Sequence, residues 1–195
     1  MADGQLLIDQ APLQDRDLLQ RLSLYFDGFD QRLRQGQGWL IFNARGPRSG
    51  RISSFIQFRL DEHQTPVASC FMTWRDFAIS AYVTEVGLPE LLSEASANDA
   101  AKRELDLATR VTYDTWTRML SAELLVLVGL KPARLHEAEL LDRAIATRHT
   151  QRMATILLTP EMPRQLEAEF ETVDPSRIYW DRIFGRMYES SLVAM

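Results

Sequence analysis

Short, unbroken apolar runs, separated by segments of helical spacing, restrict the fold of this chain more than any other feature. Leu124-Leu125-Val126-Leu127-Val128 is the clearest run, and Ala154-Thr155-Ile156-Leu157-Leu158 nearly repeats it. A strand with one face in water alternates apolar and polar residues, whereas a strand without alternation needs cover on both faces. Parallel sheets provide that cover, because each crossover lays a helix on a face. Trp39-Leu40-Ile41-Phe42, extending to Asn43, and the run from Val67 to Met72 have the same character. Residues 39–43, 67–72, 124–128 and 154–158 are therefore expected as neighbouring parallel strands.

The intervening segments carry helical periodicity. Leu18, Leu19, Leu22, Phe26, Phe29 and Leu33 predict an amphipathic helix from Leu13 to Arg34, stopped by Gly36 and Gly38. Residues 1–12 read as a loose arm ending at Pro12. Ile52, Phe55, Ile56 and Leu60 predict a second helix, and Trp74 to Val83 a third. Asn98 is placed to cap a helix beginning at Asp99, and Tyr113 to Leu120 continues helical. Leu135, Ala138, Leu141 and Ile145 share a face, residues 164–171 and 176–190 read as helices, and Leu192-Val193-Ala194 reads as a short terminal strand. The expected architecture is an α/β three-layer αβα sandwich with a mainly parallel sheet. Residues 1–35 form an arm and N-terminal helix, and residues 36–195 the main domain. One competing local arrangement stays open, an antiparallel meander over 39–44, 51–60 and 67–73, since period alone does not type short apolar runs.

The totals narrow the function classes. The 195 residues, 46% of them hydrophobic, suffice for one domain with a sizeable core. The net charge of −5 argues against a broadly basic nucleic-acid face and leaves a local one open. Cys70 is the only cysteine and lies in an apolar run, so a buried, inert thiol in a reducing compartment is expected. No basic-then-apolar leader opens the chain, and no apolar run approaches the roughly 20 residues that span a bilayer. The chain reads as soluble and cytoplasmic. His63, His136 and His149 are scattered, so neither a zinc helix nor a hydrolase triad is in view.

The order of the pieces is informative. Trp39-Leu40-Ile41-Phe42-Asn43-Ala44 leads into Arg45-Gly46-Pro47-Arg48-Ser49-Gly50-Arg51-Ile52, a strand, a Gly-containing turn and a helix. Such a turn can aim backbone N–H groups and a helix N-terminus at phosphate oxygens. Later come Ala122-Glu123-Leu124-Leu125-Val126-Leu127-Val128-Gly129-Leu130, then Ile156-Leu157-Leu158-Thr159-Pro160-Glu161, then Trp180-Asp181-Arg182-Ile183-Phe184-Gly185-Arg186-Met187. Over roughly residues 20–190 this series resembles the P-loop AAA+ core of the DnaC/DnaI/IstB group of bacterial helicase loaders and transposase helper ATPases.

The resemblance implies a P-loop NTPase-like fold, with Gly46, Ser49, Gly50 and Arg51 as a vestigial phosphate loop. It also implies lost chemistry. Arg51 stands where the family has lysine, Ile52 where a hydroxyl binds magnesium, and Arg45 where the first glycine falls. Val128 and Gly129 replace the acids that hold magnesium and polarise water. Thr159 is retained, and Glu161 stands at the position of a water-orienting Asn. The implied protein is a pseudo-ATPase lacking metal and catalytic residues. It acts by contact with a protein partner, such as another ATPase or a factor in replication, recombination or transposition. Arg45 and Arg48 on the turn and Arg182 and Arg186 near the C-terminus are the interface candidates, either of the last two serving as a trans-acting arginine in an oligomer. The alternatives are a residual nucleotide-binding regulator or weak ATPase that keeps ADP or ATP as a ligand, and an unrelated α/β or α+β interaction domain. No other cofactor is implied.

Overall fold

The computed structural model describes residues 7–84 and 99–195; the expected cap at Asn98 lies outside them. Residues 7–10 form a helical turn where the sequence reads as a loose arm. The long N-terminal helix is two helices, α1 (Leu13–Asp27) and α2 (Phe29–Arg34), divided at Gly28. There follow β1 (Gly38–Ile41), α3 (Pro47–Asp61), β2 (Ser69–Thr73), α4 (Trp74–Tyr82) and α5 (Asp99–Ser121). The chain ends with β3 (Leu124–Val128), α6 (Leu135–Thr150), β4 (Ala154–Leu158), α7 (Pro163–Val173), α8 (Ile178–Ser190) and β5 (Ser191–Ala194). The two helical stretches read at Asp99 and at Tyr113–Leu120 are one helix of 23 residues.

All five strands are parallel, in the order β2-β3-β4-β1-β5. The four apolar runs are neighbours, as their lack of alternation requires. The antiparallel meander is absent, because residues 51–60 are helical and β1 pairs with β4 and β5. Both faces of the sheet are covered. Leu40 and Phe42 face a core built with α4, α5, α6, α7 and α8, while Trp39 and Ile41 face a core built with α1, α2 and α3. From β1 the chain crosses by α3 to the far edge, and it returns along the opposite face from β2 to β5. A change of face with each change of direction is what a constant crossover handedness demands. The reversal of direction at β1 opens a crevice over the carboxyl ends of β1 and β4, where open α/β sheets bind ligands.

Two contacts fix the inner sheet. A Cβ on Gly38 would lie 1.8 Å from the Thr155 carbonyl oxygen, so the close approach of β1 to β4 requires glycine. Arg148, 1% exposed, donates to the carbonyls of Met119 (2.7 Å), Ala122 (2.8 Å) and Ala154 (2.6 Å) and to the Thr155 hydroxyl (3.0 Å). The guanidinium caps the end of α5 and ties it to β4. Burial pushes its pKa down to about 10.

Candidate functional site

The turn after β1 lies across the carboxyl end of β4. Asn43 N donates to Glu161 O (3.1 Å) and Ala44 N to Thr159 O (2.8 Å). The reversal uses positive φ at Asn43 (56°) and Gly46 (48°), conformations that Asn and Gly tolerate best. Pro47 then starts α3, its fixed φ and missing N–H suiting the first helical position. Ser49, Gly50 and Arg51 therefore lie inside the helix, not in an open loop. In an α-helix only the first turn leaves its amides free. Arg48 N already donates to Arg45 O (3.1 Å). Pro47 has no amide N–H to offer, and the turn's positive charge resides in the side chains.

Those side chains are engaged within the chain. Asp15, in the first turn of α1, is 1% exposed and faces α3. Its Oδ2 accepts from Arg51 Nε (3.0 Å) and Nη2 (2.5 Å). Its Oδ1 lies 2.9 Å from Arg48 Nε, an ion pair that is not aligned as a hydrogen bond. Arg48 also donates from Nη1 to Asn43 O (3.0 Å) and from Nη2 to Met195 O (3.3 Å). Arg45 reaches the other way, donating to Pro160 O (2.6 Å), Glu161 Oε2 (2.9 Å) and Gln165 Oε1 (2.9 Å). Gln14, Asn43 and the three arginines line a polar hollow of about 470 Å³. A second, more apolar hollow of about 440 Å³ lies between residues 7–19 and α3, walled by Leu7, Ala11, Leu19 and Phe55, and it shares Arg51 with the first.

Ile52, Val128 and Gly129 bring no oxygen-bearing side chain to the crevice. Ile52 is fully buried and packs with α1 and the sheet, so its side chain faces the core. Val128 ends β3, and Gly129 turns away with φ 84°, both its amide and that of Leu130 donating to Leu158 O (2.8 and 2.9 Å). Thr159 is buried and donates to Leu130 O (2.9 Å). Glu161 is held between Arg45 (2.9 Å) and Lys131 (3.3 Å), and Lys131 also pairs with Glu169 (3.1 Å). Hydrogen bonds to Glu169 and Glu161 push the Lys131 pKa up. Glu123, at the opposite end of β3, accepts from Ala68 N (2.9 Å). Among the described residues no three His, Cys, Asp or Glu side chains are grouped to hold a metal ion.

Arg182 and Arg186 lie apart from the turn, on α8. Arg186 Nη1 donates to Asp142 Oδ1 (2.5 Å), and Arg182 Nη1 is 3.7 Å from Asp142 Oδ2. Asp142, on α6, is largely buried, so this pair fastens α8 to α6. Sequence reasoning missed Asp15 and Asp142. Each is one acid on an amphipathic helix, and nothing local separates it from a solvated charge.

An all-parallel sheet of this order, with a Gly-containing turn from β1 into α3 at the crevice, defines a P-loop NTPase-like α/β domain. The particular likeness is to a solved helicase loader. The crystal structure of the DnaC helicase loader matches with a TM-score of 0.59 at 15% identity, covering 95% of this chain and 92% of that one. The fold is therefore like that of the DnaC helicase loader. The chain matches no family model and no curated protein. No described helix is long and apolar enough to cross a membrane.

Proposed function

We propose that this chain is an AAA+-like pseudo-ATPase that works through a protein partner in DNA replication or a related process. One observation carries the reading. The residues that stand at the nucleotide and metal positions are committed to the protein itself. Arg51 is paired with Asp15, Ile52 is in the core, and Val128 and Gly129 offer no carboxylate. Phosphoryl transfer depends on metal and positioned charge for most of its rate, and neither has a source here. The replication role rests on the helicase-loader likeness, and the partner reading on what such a fold can still do without turnover. The test has two arms. Magnesium-dependent ATP hydrolysis should stay at background, and turnover that vanishes in Arg51→Ala would overturn the pseudo-ATPase reading. Co-elution with the replicative helicase of the same cell on a sizing column is expected without nucleotide, and separate elution would remove the helicase as partner.

A second reading is favoured by the two hollows that share Arg51. Together they offer a charged end and an apolar end, as a nucleotide would need. On this reading ADP binds weakly, with phosphates over Gly46 to Arg51 and little response to magnesium. Calorimetry with ADP, with and without magnesium, separates it from the first, and a strong magnesium dependence would contradict both.

A further inference from the structure

The Asp15 contact has a meaning beyond lost catalysis. A carboxylate buried to 1% exposure costs several kcal/mol in desolvation unless cations meet it. Here two do, Arg51 through both Nε and Nη2 and Arg48 through Nε at 2.9 Å. Arg48 further joins the β1–α3 turn at Asn43 O and the end of the chain at Met195 O. One guanidinium therefore links α1, the turn and the segment after β5. The polar hollow beside it is lined by the same arginines and by Arg45. Arg45, Arg48 and Arg51 carry three positive charges, and among the described residues the side-chain carboxylates paired with them are Asp15 and Glu161.

Resting on the reading that this site no longer turns over nucleotide, we propose that Asp15 is a built-in anion. It neutralises Arg48 and Arg51 in place of a bound oligophosphate and keeps a latent polyanion site closed. The carboxylate is tethered, so it competes at high effective concentration against any free anion. α1 does not swing away cheaply, because Leu18, Leu19, Leu22 and Phe26 are buried beneath it. A mobile polyanion must either displace a carboxylate from a two-arginine clamp or bind outside it. The fold is thereby made independent of nucleotide, and the open site would accept a compact oligophosphate.

The probe is inorganic pyrophosphate without magnesium, titrated by calorimetry into wild type and Asp15→Asn. The amide keeps the shape and removes the charge. Asp15→Asn should bind roughly tenfold more tightly or better, the scale on which removing one buried carboxylate competitor acts. It should also melt lower than wild type, and pyrophosphate should raise its Tm while leaving wild type unmoved. Adding Arg51→Gln to Asp15→Asn should abolish the gain. If Asp15→Asn does not fold, rescue by pyrophosphate or by Arg51→Gln supports the proposal, and failure of both overturns it. Equal pyrophosphate affinity in wild type and Asp15→Asn also overturns it. Neither outcome involves turnover, so ATP hydrolysis by wild type would defeat the pseudo-ATPase reading while leaving this comparison to be judged separately.

Discussion

Replacing Ile52 with threonine would place a hydroxyl where the resembled family binds magnesium, and the burial of this side chain predicts a loss of stability without a metal site. Ile52 has 0% exposure and packs among residues of α1, β1 and α3. The change deletes a terminal methyl and turns a methylene into a hydroxyl. Loss of the methyl from a packed core costs about 1 kcal/mol. A buried hydroxyl without a partner costs about 1–3 kcal/mol. A back-bond to the carbonyl four residues earlier recovers about 1 kcal/mol of this. The net expectation is a loss of about 1–3 kcal/mol, against the roughly 5–15 kcal/mol that holds a domain folded. Urea unfolding measures it, with an unchanged m-value expected. The same titration in magnesium and ADP should show no added stabilisation over wild type. Stability within about 0.5 kcal/mol of wild type, or a magnesium-dependent rise in ADP affinity, would refute the inward placement of this side chain.

Two further outcomes test the interior. Arg148→Met should cost about 3 kcal/mol, since three carbonyls and one hydroxyl lose their donors while the desolvation of a buried guanidinium is relieved. Melting should fall by roughly 6–12 °C, and an unchanged Tm would mean that the charge is dispensable. Asp174 is the pH-sensitive case. Burial, which raises its pKa, is outweighed by hydrogen bonds from the Ser176 hydroxyl and from the amides of Tyr179, Ser176 and Ile178, so the folded value lies below the unfolded one. Its contribution to stability is complete above the unfolded value of about 4 and is lost as pH falls through the lowered folded value. Asp174→Asn should be less stable at neutral pH and should show a shallower loss in acid, and identical acid slopes would contradict the assignment.

How much of the protein was legible in the sequence follows from the range of the forces involved. The four apolar runs typed their own strands, because a strand without alternation leaves no face for water, and this also implied parallel pairing under two helical layers. The helices were legible from spacing, apart from the break at Gly28 and the continuity of α5, which depend on end geometry. The residue types at Ile52, Val128 and Gly129, whose side chains carry no metal-ligating atom, were legible directly. The fate of the arginines was not. Arg45 and Arg48 read as interface candidates and Arg51 as part of a vestigial phosphate loop, while Arg182 and Arg186 read as free to reach a neighbour. The fold instead brings Asp15 to Arg51 across 36 positions and Asp142 to Arg186 across 44. A charge finds its partner through space, and a local pattern carries no record of which distant helix will lie 3 Å away. The sequence by itself determined the layers, because burial acts through each residue's own chemistry. Only the tertiary structure decided that Arg48 and Arg51 of the β1–α3 turn would meet the protein's own carboxylate, Asp15.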